Sequence, residues 1–412
     1  MILLSVAWHS LISRKKTVIL TFLSLTISIV VLLSIEHIRL QAKESFNRTI
    51  SGVDLIVGAP SGQLNLLLYS IFRMGSPANK IHYTSFTMLE KQKLVDWAIP
   101  ISLGDSHRGF RVIGTNNSYF THYQYGKKQP LKFEQGREFS SLFEVVLGSD
   151  VAKKLNYNLG DKIIIAHGIG NISFTKHEQA PFVISGILAR TGTPVDKSVH
   201  VSLSAIEAIH LPPTALKELV NNPKAIPPTP NSITAVMLKL KSKFTVFGFQ
   251  REINNYPNDR LMAVLPGVAM TELWGLMATF ENLLRAIAVL VLISSLFGLA
   301  TMLLASMNER KTEIAVLRVL GAGPVTLILL ILLEALILVS LAIIMSTLVL
   351  TLALFSLEAW LAAEFGLFLS DDIFTMELMI LISMIYIATL VVSFFPGIAA
   401  YKYALHSQLS SN

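Results

Sequence analysis

The chain has 412 residues, of which 52% are hydrophobic and 15% charged, whereas soluble globular proteins carry about 25% charged residues. Together with a mean hydropathy of +0.57, this composition indicates a membrane protein. The net charge of +7 is small and dispersed, which argues against nucleic-acid binding. The absence of cysteine excludes disulfides, thiolate metal sites and cysteine nucleophiles.

Four windows are long enough to cross a bilayer, which takes about 20 apolar residues of helix. Residues 17–35, 286–307 and 378–395 contain no charged side chain, and residues 325–350 contain only Glu334. We expect these windows to be four transmembrane helices. Residues 1–16 carry apolar positions at helical spacing, which predicts an amphipathic helix on the cytosolic face; a plain continuation of the first span is the alternative.

The distribution of basic residues predicts the orientation, because Lys and Arg gather on cytosolic flanks. They lie before the first span (Arg14, Lys15, Lys16), between the second and third (Arg310, Lys311, Arg318) and after the fourth (Lys402). Residues 351–377 contain acidic side chains and no Lys or Arg. Both termini, residues 308–324 and residues 396–412 are therefore expected in the cytosol, with residues 351–377 outside.

Residues 36–285 then form the one sizeable outer segment, and its patterns predict mixed α and β structure. Short β-branched or alternating runs predict strands at 53–57, 162–165 and 234–240, and helices fit 87–97 and 149–156. Gly104-Asp105 and Gly160-Asp161 are typical of turns. Prolines at 212–213 and 227–230 bracket a stretch that we interpret as a boundary between two subdomains.

Sequence motifs for catalysis and metal binding point to no active site in this chain. It lacks the Gly-x-x-x-x-Gly-Lys-Ser/Thr phosphate loop, the Gly-x-Ser-x-Gly elbow and the His-Glu-x-x-His helix. We therefore predict no catalytic residue and no cofactor bound by the chain itself. His167 and His177-Glu178 are the one metal-site alternative, although their spacing fits no usual zinc pattern and a surface or packing role is the simpler interpretation.

The segment 308–324 joins the second and third spans and has the pattern of a short amphipathic helix. Ile314, Leu317 and Leu320 form an apolar side, and Arg310 can pair with Glu313 one turn later. Such a helix can dock on a cytosolic partner; a solvated loop is the alternative.

The run NERKTEIAVLRVLGA at 308–322, followed by LEAL at 333–336, resembles the permease signature of the MacB, LolC/LolE and FtsX group of ABC transporters. Residues 7–16 and 396–401 are similar to the two ends of the same group. Residues 145–148, 159–162 and 182–188 resemble the MacB-type periplasmic core domain. The resemblance implies ATPase-coupling roles for one set of residues: Asn308, Glu309, Arg310, Lys311, Glu313, Leu317, Arg318 and Gly321. It implies intramembrane structural roles for Glu334 and Pro396, a proton relay being the alternative for Glu334.

The resemblance also implies a multi-pass permease of a bacterial inner membrane, working with a cytosolic ABC ATPase that binds ATP and Mg²⁺ and with a second permease chain. The first two spans would continue outward as a stalk, at about 38–48 and 267–284, and transmit motion to the outer domain. The work on a periplasmic substrate would be efflux or lipoprotein extrusion, with a periplasmic adaptor or lipoprotein as a further partner. An FtsX-like regulator of a cell-wall hydrolase is the alternative, and a membrane sensor unrelated to ABC proteins is a third.

Overall fold

The computed structural model describes residues 2–167, 179–222, 225–309, 322–365 and 375–409. It divides into two compact units. The helical unit is built from Met1–Ala42, Ala278–Trp360 and Leu369–Asn412, and the outer unit is built mainly from Lys43–Met277.

Twelve α-helices lie in the described residues. They are α1 (Ile2–Ser13), α2 (Lys15–Thr49), α3 (Gln63–Ser70), α4 (Tyr83–Glu90), α5 (Ser118–His122), α6 (Ser149–Leu155), α7 (Leu203–Ala208), α8 (Pro213–Asn221), α9 (Val246–Asn254), α10 (Pro266–Glu309), α11 (Pro324–Phe365) and α12 (Met376–Leu409). Helices α2, α10, α11 and α12 are long and apolar enough to cross a membrane. The expectation of an α-helical membrane protein with four spans is therefore confirmed.

The long helices extend well beyond the apolar windows that they contain. Helix α2 continues from its window through the first predicted stalk segment to Thr49, and α10 begins at Pro266, before the second. Helix α12 continues through Pro396 to Leu409, and α11 continues to Phe365. The ends predicted for the third and fourth spans, at 350 and 395, are therefore not helix ends.

The helical unit has one apolar core to which all four long helices contribute. Its buried members include Leu25 and Ile29 of α2, Leu296 and Leu299 of α10, Ala335 and Val339 of α11, and Ile385 of α12. Lipid chains are as apolar as leucine, so burial from water does not hold such helices together; close packing and hydrogen bonds between them do.

The outer unit is a mixed α/β domain, and its described residues form fifteen strands, eleven of them in one main sheet. Its strands are β1 (Leu55–Gly58), β2 (Ile81–His82), β3 (Val95–His107), β4 (Phe110–Thr115), β5 (Gln124–Tyr125), β6 (Gln129–Pro130), β7 (Phe133–Gly136), β8 (Glu144–Leu147), β9 (Lys162–Ile163), β10 (Ala166–His167), β11 (Phe182–Leu188), β12 (Ser198–Ser202), β13 (Ser232–Ile233), β14 (Ala235–Leu240) and β15 (Met262–Val264). The order in the main sheet is β15-β1-β14-β3-β4-β12-β8-β11-β7, with β10 beside β3 and β9 beside β11. The pairs β4–β12 and β8–β11 are parallel, and the other pairs are antiparallel.

Most of the predicted outer elements match the structure, and two do not: β9 (Lys162–Ile163) falls inside the predicted strand 162–165, β1 (Leu55–Gly58) overlaps the predicted strand 53–57, and a turn lies at Gly160. Strand β14 and helix α6 fall inside the predicted runs 234–240 and 149–156. The predicted helix 87–97 is wrong, since α4 ends at Glu90 and the rest begins β3, where Val95 pairs with Leu240 of β14. Sheet pairing outweighs local helical spacing at these positions. The predicted turn at Gly104-Asp105 is also wrong, because it is an irregularity inside β3, between Leu103 and Ser106.

The proline-bracketed stretch does not divide the outer unit. It contains α8, which begins with Pro213 at its first turn, where a missing N–H is tolerated. Strand β14 follows the stretch and β3 precedes it, yet the two pair directly in one sheet. The predicted subdomain boundary is therefore a surface connection.

Candidate functional site

The residues predicted to couple to an ATPase begin at the end of α10. Asn308 and Glu309 are its last two residues, and the chain re-enters the described part just before α11. The other six lie outside the described residues: Arg310, Lys311, Glu313, Leu317, Arg318 and Gly321. Their roles stay predictions based on the sequence signature.

Glu334 is fully buried in the third span. Its carboxylate lies 3.7 Å from the Arg14 guanidinium, at the junction of α1 and α2, and only 10% of the Arg14 side chain is exposed. Arg14 also donates a hydrogen bond to Ser10 Oγ of α1 at 2.8 Å. Acids inside a membrane need such partners because an isolated charge is costly there. The pair therefore links α11 to the start of the first span.

Pro396 lies in a close contact between α12 and α11. The residue is buried inside α12, and a Cβ added at the neighbouring Gly397 would come within 3.2 Å of Ile328 Cγ2. The proline removes one hydrogen bond of its helix and the glycine removes a side chain, so the helices can approach at this point.

Hydroxyl groups connect the first span to its neighbours inside the membrane. Ser295 of α10 makes hydrogen bonds with Ser28 and, at 3.2 Å, with Ser24 of α2. On the other side, Ser346 Oγ of α11 donates to the Thr26 carbonyl oxygen at 3.0 Å. Small hydroxyl residues let helix backbones approach closely, and their hydrogen bonds fix the orientation of the contact.

A network of four charges joins α2 to α10 where both helices leave their apolar windows. The Glu36 carboxylate accepts hydrogen bonds from Arg39 and, at 2.8 and 3.2 Å, from Arg285 of α10. Arg39 also faces Glu281 of α10 at 3.9 Å. Each helix carries an acid and a base about one turn apart, so in the antiparallel pair the acid of one meets the base of the other. We call these four residues the stalk network.

Helix α10 carries a row of exposed side chains at heptad spacing, which we call the α10 seam. Its positions alternate steps of four and three residues: Phe280, Leu283, Ile287, Leu290, Ser294 and Phe297. The five apolar members are each at least half exposed. Phe280 and Leu283 precede the charge-free window, so lipid does not explain their exposure. Alternating steps of four and three define the surface with which one helix packs on another.

Two histidines of the outer unit, His107 and His200, are buried. His107 is buried with one ring nitrogen 2.7 Å from the Ile164 carbonyl oxygen and the other 3.0 Å from the Tyr157 hydroxyl. Burial and the nearby Arg73 lower the pKa of His200 to about 3, so this imidazole is neutral. The side chain of His167, and all of His177 and Glu178, lie outside the described residues. Within the described ranges, no three His, Asp or Glu side chains converge as metal ligands.

Two family models together match most of the chain. Residues 18–256 match the MacB-like periplasmic core domain, and residues 285–409 match the FtsX-like permease C-terminal domain. The chain therefore belongs to the MacB/FtsX-type ABC transporter permeases. Permeases of this family are multi-pass inner-membrane subunits that partner with cytosolic ABC ATPases, and they are not the ATPase itself. The resemblance inferred from the sequence is confirmed.

Two solved structures resemble about half of the chain. The periplasmic region of MacB from Actinobacillus actinomycetemcomitans is 13% identical, and the match covers 55% of this chain and 97% of that one with a TM-score of 0.34. The extracellular domain of the ABC-type transporter YknZ from Gram-positive bacteria is 14% identical, with 52% and 99% covered and a TM-score of 0.30. No curated protein matches the sequence.

The stalk network and the α10 seam are the features that sequence reasoning missed. Their signals are present in the chain: Glu36 directly follows the first window, and Arg285 directly precedes the second. The heptad steps are equally visible, but part of the seam lies inside an apolar window, where hydrophobic residues face both lipid and protein. The exposed fraction of each side chain in the folded chain distinguishes residues that pack inside it from residues that face lipid or another chain.

Proposed function

We propose that the chain is the permease subunit of an ABC transporter that uses ATP hydrolysis by a partner ATPase to do conformational work on a periplasmic substrate. Both termini and the segment 308–324 are placed in the cytosol in this proposal, following the Lys and Arg bias of the short flanks. The partner ATPase binds ATP and Mg²⁺, and this chain transmits the resulting movement.

The stalk network carries this proposal. Helices α2 and α10 each continue without interruption past their membrane windows, and Glu36 ties them together with Arg285 at that level. A displacement of their inner ends is therefore passed outward by two joined helices. Charge-assisted hydrogen bonds, each contributing roughly 1.5–3 kcal/mol, resist separation of the pair.

At the cytosolic end, the proposed contact with the ATPase is the segment after α10. Its charged residues include Glu313 and Arg318, and it directly connects the second span to the third. Exchange of both charges, in the variant Glu313→Lys with Arg318→Glu, is expected to abolish stimulation of the ATPase by the permease while membrane insertion stays intact. Unchanged stimulation would contradict this assignment.

The α10 seam supports a second permease chain as partner. Phe280 and Leu283 lie on the water side of the charge-free window and are 65% and 59% exposed. Exposed apolar rows of this kind mark interfaces. The same seam on a second chain, identical or closely related, is a matching surface, because heptad rows pack against one another.

The cysteine-free chain allows a direct test of transmission. Gly275 is exposed and a Cβ there meets nothing within 4 Å, so Gly275→Cys can carry a spin label. Pulsed electron resonance in nanodiscs, with the co-purified ATPase, then measures the distance between the labels of two chains. We expect a short distance that changes between the nucleotide-free and ATP-bound complexes.

Single variants test transmission through the stalk network and contact at the α10 seam separately. Glu36→Gln is expected to reduce the ATP-dependent distance change while ATP hydrolysis continues, and Lys43→Met, which changes an exposed charge on the same helix, is the control. Leu283→Glu is expected to remove the short distance altogether. An intact distance change in Glu36→Gln, or its equal loss in Lys43→Met, would refute transmission through the stalk network.

The class of substrate can be read from what co-purifies with the complex. A periplasmic adaptor would support efflux, and a lipoprotein would support lipoprotein extrusion. A cell-wall hydrolase would support the FtsX-like regulatory alternative.

A further inference from the structure

An apolar groove of about 350 Å³ opens on the helical unit where α1, α2 and α11 meet. Its floor includes Leu11 of α1 and Leu338 of α11, which are 4% and 2% exposed. Its walls include Ile12, Ile19 and Ile344, one from each helix, and each is more than half exposed. We call this surface the α1–α11 groove. Its volume is in the range of pockets that hold small ligands.

Helices α2 and α11 run in the same direction along the groove. Arg14, just before α2, contacts Glu334 of α11, and Thr26 accepts a hydrogen bond from Ser346, twelve residues further along both segments. On α11 the lining covers residues 338–348, which measure about 15 Å at about 1.5 Å per residue. Half of a bilayer core about 30 Å thick has the same depth. The groove therefore has the length of one lipid leaflet.

Lys15 is the one charged side chain among the described residues that line the groove. It is exposed, and no ion pair joins it to an acid within the described part of the chain. Arg14 beside it is held by Glu334 and Ser10, so Lys15 is the base that remains available. A lysine at a membrane surface lays its methylene stem on apolar side chains and directs its ammonium to the headgroups.

The position of Lys15 along the chain places the charge at one end of the groove. Lys15 and Lys16 directly precede the charge-free window that begins at residue 17, and the residues of α2 that line the groove after Lys15 are all apolar. Trp8 of α1 also lines the groove, and tryptophan rings are enriched at headgroup level. The groove therefore offers a cation followed by a leaflet's length of hydrocarbon, which is the order of groups in an anionic phospholipid.

We propose that the α1–α11 groove binds one anionic phospholipid, with the lipid phosphate on the Lys15 ammonium and one acyl chain along residues 338–348 of α11. The lipid belongs to the leaflet at whose surface Lys15 lies. Because α1 and α11 both line the groove, the bound chain packs them together and stabilises the break between α1 and α2 at Arg14. The site does not depend on the proposed coupling to an ATPase.

The test is native mass spectrometry of the full-length chain, freed of lipid in mild detergent and titrated with phosphatidylglycerol. The first phosphatidylglycerol is expected to bind more tightly than later ones and more tightly than phosphatidylcholine, whose headgroup has no net charge. Glycerol 3-phosphate has the phosphate without the acyl chains, and it is expected not to compete. Competition by this compound would reduce the site to a phosphate contact without a lipid groove.

Two lysine variants test the contact with the phosphate. Lys15→Gln is expected to weaken binding of the first phosphatidylglycerol about five-fold, since one lysine beside anionic lipid contributes a factor of about this size. Lys16→Gln removes the same charge from the next residue, which is exposed and does not line the groove. It is expected to leave binding of the first lipid unchanged. Equal weakening in the two variants would contradict a specific site.

Two tryptophan variants test the place of the acyl chain. Ile344→Trp fills the groove without changing charge and is expected to remove the tight first binding event. Leu352→Trp makes a similar change on the same helix outside the lining, at a residue that is 58% exposed, and is expected to have no effect. Thermal unfolding followed by circular dichroism separates lost binding from lost folding.

Two further results would overturn the proposal. Tight binding that persists in a folded Ile344→Trp chain would place the lipid elsewhere. The chain has no cysteine, so Ile344→Cys can also be tested for disulfide cross-links between chains in native membranes. Efficient cross-linking would assign the groove to contact with a second copy of the chain.

Discussion

Removing one member of the Arg14–Glu334 pair is expected to destabilise the helical unit strongly. The two charges are 3.7 Å apart, and Glu334 is 1% exposed. At an effective dielectric constant of about 20, two unit charges at this separation attract by about 4 kcal/mol. Replacing Arg14 by Met or Glu334 by Met alone leaves the other charge in a buried position, which costs about 3–5 kcal/mol.

The double variant tests whether the cost of each single change comes from leaving the other charge buried. Arg14→Met with Glu334→Met removes both charges and fills similar volume, so it is expected to cost less than either single change. The free energy of unfolding is measured by titrating the purified protein from mild detergent into dodecyl sulfate, with tryptophan fluorescence as the signal. Lys16→Met, an exposed residue on the same cytosolic flank, removes the same charge and is expected to change the free energy by less than about 0.5 kcal/mol. Costs of the two single changes that simply add in the double variant would refute the pairing.

Three further predictions concern the outer unit. Hydrogen bonds from Arg137 and two backbone N–H groups outweigh partial burial and lower the pKa of Glu144 from 4.5 to about 2. The ionised Glu144 therefore stabilises the fold fully above pH 4.5, and this stabilisation is lost as pH falls toward 2. The free energy of unfolding should depend less on pH over this range in Glu144→Gln. Asp196 is fully buried and accepts hydrogen bonds from the preceding turn, so Asp196→Ala should cost roughly 1–3 kcal/mol in chemical denaturation. Gly148→Ala would put its Cβ 2.3 Å from the Val195 carbonyl oxygen and should lower the melting temperature, whereas an unchanged value would contradict the close approach.

Local sequence was sufficient for the membrane spans and for the family. Each span is a long apolar window, and lipid imposes helix on any such window because its backbone groups must bond within the segment. The signature at 308–322 is contiguous, so its recognition needed no knowledge of the fold. The position of the spans along the chain therefore followed from local apolar windows alone.

The outer unit was harder to predict because its sheet joins distant segments. Residues 87–97 have apolar spacing compatible with helix, and only the pairing of Val95 and Trp97 with β14, far along the chain, places the end of this segment in β3. The same pairing turned the predicted proline boundary into a surface connection. Non-local pairing of this kind leaves no clear mark in a short window of sequence.

For the candidate site, the sequence identifies the functional residue types, but only the folded structure identifies their partners. Glu334 could be identified as the one acid in a span, but its proximity to Arg14 depends on how α1, α2 and α11 pack. The charges at Glu36 and Arg285 mark the ends of two windows, yet they become one network only because antiparallel helices bring positions far apart in sequence together. Apolar periodicity and charge are local properties, whereas contact and exposure arise from packing, so the heptad spacing of the α10 seam is visible in the sequence but its exposure is known only from the folded chain.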